Sequence, residues 1–258
     1  MDFTGKRVLV TGSTRGIGRA AAEMFLAAGA RVAINGRTAG SVATAAREIG
    51  NERIVATPGD VSRIDGCEAV VAAAVQQLGG LDCLVNNVSV SPLARMMDVT
   101  EEHWDRVIAT NLRSAMLCAK AALPALRSSK GSIVMVSSVA GLMAGPTECF
   151  VDAVSKAALV GMTKTLALEL AADQVRVNCV CPGYIDTPGT RERNAATNGQ
   201  VDRHVGGATP LNRMGTVREC ASAILYLASA DAGYCTGTML VSDGGCFAQA
   251  SFGTKNMA

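Results

Sequence analysis

Aromatic residues make up only 3% of the 258-residue chain, and there are two histidines, His103 and His204. Both shortages exclude chemistry. Single-stranded nucleic acid is usually gripped by basic grooves set with stacking aromatics. Here the formal net charge is +2 and the charges are interspersed, so no nucleic-acid partner is expected. A Ser–His–Asp hydrolase needs a nucleophile elbow, and no Gly-x-Ser-x-Gly run follows a strand. The turn Gly16-Ile17-Gly18 lacks the Gly-Lys-Ser/Thr ending of a Walker loop. No apolar run is long enough to span a bilayer, so no membrane partner is expected. The first residues, Met1 to Arg7, show no apolar segment behind a basic start, and the expectation is a cytoplasmic protein without a signal peptide. Nine cysteines at irregular spacing argue against a disulfide framework. Cys179 and Cys181 form the one close pair, with neither histidine near them in sequence, so buried thiols are expected and no metal site.

What the chain has is a hydrophobic share of 49% carried by small aliphatic residues, enough for a sizeable core in one unit of residues 1–258. Val- and Ile-rich runs alternate with Ala-rich segments of helical period. Strands are expected at Arg7–Thr11, Arg31–Asn35, Arg53–Thr57, Leu81–Val85, Ser132–Val136, Val175–Val180 and Met239–Val241. Helices are expected at Gly16–Ala28, Ser41–Ile49, Gly66–Leu78, Glu101–Leu126, Ala153–Ala171 and Val217–Ala228. The alternation implies βαβ crossovers and an α/β fold, a parallel sheet with helices on both faces. The polar segment 186–209 is weakly periodic and reads as a substrate lid or loop.

Behind the first strand comes Thr11-Gly12-Ser13-Thr14-Arg15-Gly16-Ile17-Gly18, opening a helix. Glycines there allow a tight turn, and the free N–H groups and dipole of the helix start suit a diphosphate. Further along stand Asp60-Val61, Asn87-Val88, Asn111, Ser138, Ser155-Lys156 and Pro182-Gly183-Tyr184-Ile185-Asp186-Thr187. Together, from about Gly5 to Gly245, these motifs resemble the short-chain dehydrogenase/reductase family.

The resemblance implies a Rossmann-like doubly wound sheet of about seven parallel strands in a single domain. It implies a dinucleotide held by Gly12, Ser13, Thr14, Arg15, Gly16, Ile17 and Gly18, with Asp60 at the adenine ring and Val61 beside it in the cofactor site. Asn87, Val88, Lys156, Pro182, Gly183, Ile185 and Thr187 would complete the cofactor site. It also implies a homo-tetramer or homo-dimer built on the two long helices, near Trp104–Leu126 and Ala153–Ala171. The second strand ends Asn35-Gly36-Arg37, without the acidic residue that accepts from an NAD ribose. Arg37 and Arg15 suit a 2′-phosphate instead, so NADP is expected over NAD.

In the family a serine, a tyrosine, a lysine and an asparagine cooperate in the reaction. Ser138, Lys156 and Asn111 match three of them, and Asp152 stands at the tyrosine's position, four residues before Lys156. A carboxylate is ordinarily ionised at neutral pH and has no proton for a carbonyl under reduction. Three readings stay open: redox chemistry using Ser138, water or another group such as Tyr184; hydride addition to an activated alkene, which needs little proton help; and coenzyme binding without turnover, as a sensor, inactive partner subunit or scaffold.

Overall fold

The computed structural model describes residues 1–199 and 209–249. Among the described residues nine strands run in chain order: β1 Arg7–Val10, β2 Arg31–Gly36, β3 Ile54–Pro58, β4 Cys83–Asn86, β5 Ser132–Val136, β6 Arg176–Pro182, β7 Ile185–Asp186, β8 Gly215–Thr216 and β9 Met239–Ser242. Seven of them form one sheet in the order β3-β2-β1-β4-β5-β6-β9, and every neighbouring pair is parallel. The short β7 and β8 pair separately. From β1 the chain winds outward to β2 and β3, then returns to lay β4 on the other side of β1. The loops after β1 and β4 therefore part at the strand ends and open a crevice, the usual ligand position in such sheets.

Helices α1 Gly16–Ala27, α2 Ala39–Ile49 and α3 Ile64–Leu78 cross between the first four strands. Two apolar cores result. One lies between the sheet and the α1 face, around Val8, Val10, Phe25, Ile34 and Ile224. The other lies on the opposite face, around Leu9, Leu84, Leu126, Ile133 and Met135. Because both faces are covered, β1 and β4 are buried along almost their whole length, and this is why they read as unbroken apolar runs.

The expected helix Glu101–Leu126 is not uniform. It consists of α4 Glu101–Ile108, a π-helical turn Ala109–Arg113 and α5 Ser114–Ser129. A π turn carries one extra residue, which shifts the side chains that follow around the axis, and such turns cluster at functional sites. Asn111 lies inside it. Helix α6 starts earlier than expected, at Phe150, and runs to Glu169, putting Asp152 in its first turn. The N-cap residue there is Cys149, which makes no side-chain cap bond, so the start carries no capping signature.

The segment expected as a lid, 186–209, is partly regular. Thr187 caps α7 (Pro188–Ala196), accepting from the Thr190 N–H at 3.0 Å, and Pro188 occupies the first helical turn. Residues 200–208, which include His204, lie outside the described residues, as do residues 250–258 of the C-terminal tail. Among the described residues no helix is long and apolar enough to cross a membrane, and no group of acidic, histidine or cysteine side chains could hold a metal ion. All nine cysteines are free, and Cys179 and Cys181 are buried neighbours with sulfurs 3.8 Å apart.

Candidate active site

The crevice between the ends of β1 and β4 is a cleft of about 430 Å³. On one side it is lined by Gly12, Thr14, Arg15, Gly16 and Ile17, and on the other by Arg37, Asp60, Val61, Asn87, Val88 and Thr187. Gly12 and Gly16 have φ of 62° and 61°, the left-handed region that favours glycine, so the turn folds back tightly on the start of α1. The N-cap Arg15 makes no side-chain cap bond, and the first turn of α1 has no acidic residue. The donors of that turn thus keep no partner from a capping side chain, which fits an anionic diphosphate. Gly18 faces inward. A Cβ there would lie 2.6 Å from the Gly12 carbonyl oxygen and would also strike the Asn87 amide.

Two of the residues expected at the coenzyme, Ser13 and Asn87, also brace the turn, and Asn87 does so while lining the cleft. Ser13 is fully buried, its Oγ donating to Val10 O at 2.7 Å and accepting from the Asn35 N–H at 2.9 Å. The Asn87 amide donates to Thr11 O at 3.0 Å and Gly12 O at 3.1 Å, tying the turn to the end of β4. Asn35 does the same from β2: its Oδ1 accepts from the Gly12 N–H at 3.2 Å and its Nδ2 donates to Thr57 O at 2.9 Å. This brace was not anticipated. A polar residue inside an otherwise apolar strand was the signal that could have revealed it.

At the outer end of the cleft both expected arginines are present and exposed. Arg37 is 3.6 Å from Asp60, and Arg15 is 2.7 Å from Glu192 of α7. Burial opposes ionisation of Asp60, but hydrogen bonds from Ser62 and the charge of Arg37 outweigh it and hold the carboxyl below its ordinary value. Exposed pairs of this kind contribute little, so a phosphate dianion can displace either carboxylate from its arginine.

Beside the cleft lies a second cavity of about 380 Å³, lined in part by Ser138, Cys149, Asp152, Tyr184 and Arg193. Gly183 and Ile185 face this cavity, and the segment 185–190 borders both spaces. Asn111 sits at the centre of the polar network. It donates from Nδ2 to Val90 O at 2.9 Å, Asp152 Oδ1 at 3.0 Å and Ser155 Oγ at 3.1 Å. Its Oδ1 accepts from the Val90 N–H at 2.8 Å. Ser155 in turn donates to Asp152 O at 2.6 Å. Asp152 also lies at a helix start, where the dipole favours an acidic side chain.

Lys156 lies one turn further along α6 and is only 5% exposed, with Nζ donating to Val136 O at 3.1 Å. Burial pushes its ammonium below the ordinary lysine value, and the charge of Asp152 pulls the other way. No ion pair within 4.0 Å joins the two among the described residues. Ser138 Oγ accepts from the Ala140 N–H at 3.1 Å and makes a long bond, 3.4 Å, to Pro182 O. Pro182 is thus tied to the serine from the backbone side, while Ser138 keeps a face on the cavity. Burial raises the Tyr184 phenol above its ordinary value, with the Cys246 and Cys149 thiols adding to the effect.

Comparison with known proteins gives this arrangement its context. The family model described as Enoyl-(Acyl carrier protein) reductase matches residues 12–246. An uncharacterized oxidoreductase of Thermotoga maritima is 36% identical over 251 residues, spanning 95% of this chain and 98% of its own. Dehydrogenase/reductase SDR family member 4 of Homo sapiens is 37% identical over 247 residues, covering 94% and 88% of the two chains. Among solved structures, a putative short-chain alcohol dehydrogenase from Sinorhizobium meliloti superimposes with a TM-score of 0.89 at 35% identity, covering 96% of this chain and 98% of the other. The parallel sheet, the glycine turn and these relatives agree: the chain belongs to the short-chain dehydrogenase/reductase family of oxidoreductases, which act on small molecules with a nicotinamide dinucleotide.

Proposed function

We propose that this protein is an NADP(H)-dependent oxidoreductase acting on a carbonyl, alcohol or activated alkene of a small organic molecule. The observation that carries the coenzyme preference is the pairing of Arg15 and Arg37 on one cleft whose β2 edge offers no carboxylate of its own. Asn35 cannot substitute as a ribose acceptor, since its amide is buried and committed to Gly12 and Thr57. A bound coenzyme would supply or accept the hydride. Lys156, with one carbonyl partner for its three donors, keeps bonding capacity for a ribose hydroxyl. Ser138 offers a hydroxyl to the substrate oxygen, and Asn111 holds Asp152 and the Val90 backbone in register. Helix α7 closes over both spaces as part of a substrate lid. Exposed apolar side chains on α5 and α6, such as Met116 and Leu168, support assembly into a homo-dimer or homo-tetramer.

Calorimetric titration with NADPH and NADH tests the reading. Tighter binding of NADPH is expected, and tighter binding of NADH overturns the preference. Loss of NADPH absorbance with ketones or enones then tests turnover. A second reading, coenzyme binding without turnover, is favoured by position 152, where Asp152 stands in place of the family's proton-transferring tyrosine. NADPH binding with no turnover across such a panel would put that reading first.

A further inference from the structure

The cavity beside Ser138 carries two opposite charges that do not neutralise each other. Asp152 and Arg193 both line it, yet they make no ion pair within 4.0 Å. The Asp152 carboxylate is held by a neutral donor, the Asn111 amide. Arg193 is half-buried on α7 and donates to Ser91 O at 3.1 Å and to Cys149 Sγ at 3.7 Å, both neutral acceptors. No carboxylate pairs with it among the described residues. Burial raises the other titratable groups on the wall, the Cys149 and Cys246 thiols and the Tyr184 phenol, and so favours their neutral forms. The buried Lys156 ammonium points its donor at Val136 O, and Lys156 does not line the cavity. Among the described residues this guanidinium, drawn partly out of water, meets no counter-ion, and a ligand carboxylate would supply one through a forked, charge-assisted contact.

We propose that this cavity takes a small zwitterionic imine, its protonated nitrogen toward Asp152 and its carboxylate on Arg193. The proposal rests on the oxidoreductase reading above and extends it to the nitrogen analogue of a carbonyl. Reduction of a ketone needs a proton delivered to oxygen, which an ionised carboxylate does not hold. A protonated imine brings that proton with it. Its carbon gains a C–H bond from the hydride of the reduced nicotinamide, and the C=N π pair moves onto nitrogen as a lone pair. The substrate's nitrogen loses its positive charge while the oxidised nicotinamide gains one, so charge balances and no proton moves in that step. In the reverse direction a neutral amine gives up hydride and becomes the iminium. In both directions the iminium is the cation that Asp152 stabilises through space, with Asn111 as the positioning residue for Oδ1. A volume of about 380 Å³ suits a substrate of the size of a cyclic imino acid.

The test is calorimetry on the full chain saturated with NADP+, using proline and pipecolate of both hands, pyrrolidine, and cyclopentanecarboxylate as probes. An amino acid of one hand should bind at least tenfold more tightly than pyrrolidine, which lacks the carboxylate, or cyclopentanecarboxylate, which lacks the nitrogen. Arg193→Met should abolish the advantage over pyrrolidine, and Asp152→Asn the advantage over cyclopentanecarboxylate, with NADP+ affinity unchanged in both variants. NADPH oxidation should follow addition of the matching cyclic imino acid. Coenzyme binding with no heat from any amino acid, or amino-acid binding indifferent to both substitutions, overturns this proposal alone. Failure of the coenzyme itself to bind overturns the oxidoreductase reading and this one with it.

Discussion

Asn111 and Asp152 are joined across the site, the amide nitrogen of one 3.0 Å from the carboxylate of the other. The contact links the π turn in the first long helix to the opening turn of α6. The same amide also brackets both polar groups of the Val90 backbone. Asn111→Ala therefore leaves a backbone N–H and C=O without their partners in addition to loosening the carboxylate. A stranded buried group costs ~1–3 kcal/mol, but Val90 is half-buried and water can reach part of the loss, so the variant should lose roughly the cost of one such group. Asp152→Asn should cost less, since an amide of the same shape can still accept from Asn111. Urea unfolding of the two variants checks the order.

Lys156 gives the structure a testable pH dependence. Its folded-state value lies below the ordinary 10.5 because it is buried. Between the two values the unfolded chain binds the proton and the folded chain does not, so stability rises with pH through that window. The burden on folding is fully present below the depressed value and is relieved as pH climbs toward 10.5. Lys156→Met removes the ionising group. The difference in melting temperature, Lys156→Met minus native, should shrink as pH is raised from neutral into the alkaline range. A constant difference across that range would contradict the burial of a charged ammonium.

Much of the fold could be read locally. The glycine turn, the apolar strands and the helix between them depend on short-range pattern, and their order in the sheet follows from the crossovers. Element starts were harder: α6 begins at Phe150 with no capping side chain to announce it. The π turn was hidden because its residues, Ala109 to Arg113, carry an ordinary helical composition. Arg193 was not legible, since its acceptor, Ser91 O, lies 102 residues away in sequence. The gap at position 152 was plain from its spacing to Lys156, but its tether to Asn111 emerges only when the π turn and α6 meet. Asn87 and Ser13 were expected at the coenzyme, and what their spacing did not reveal is that their side chains also bond the turn, where the cleft's shape depends on them.

Gly18 tests that shape. Its position leaves no room for a methyl group between α1 and the Gly12 carbonyl. Gly18→Ala must push α1 from the turn or displace Asn87. Overpacking of this kind typically costs ~1–3 kcal/mol, and the variant should melt lower and bind NADPH at least tenfold more weakly. Gly40→Ala is the control: nothing lies near an added Cβ there, and Gly40 is inside α2, so stability should hold or improve.

The two exposed ion pairs at the cleft's outer end set up the final prediction. Arg15 reaches Glu192 on α7, and Arg37 reaches Asp60, which also lines the cleft. In the proposed NADP(H) complex a 2′-phosphate on the ribose would compete with both carboxylates for the same guanidinium groups. Glu192→Gln removes one competitor and should tighten NADPH severalfold while leaving NADH nearly unchanged, because only the first coenzyme carries the extra phosphate. Arg37→Ala should weaken NADPH tenfold or more, again with little effect on NADH. Both effects should fade as salt rises, since these charges are exposed and screened within about 8 Å at physiological ionic strength. Paired titrations of the two coenzymes at low and high salt measure this. Equal changes for NADPH and NADH would mean that neither arginine meets the 2′ position.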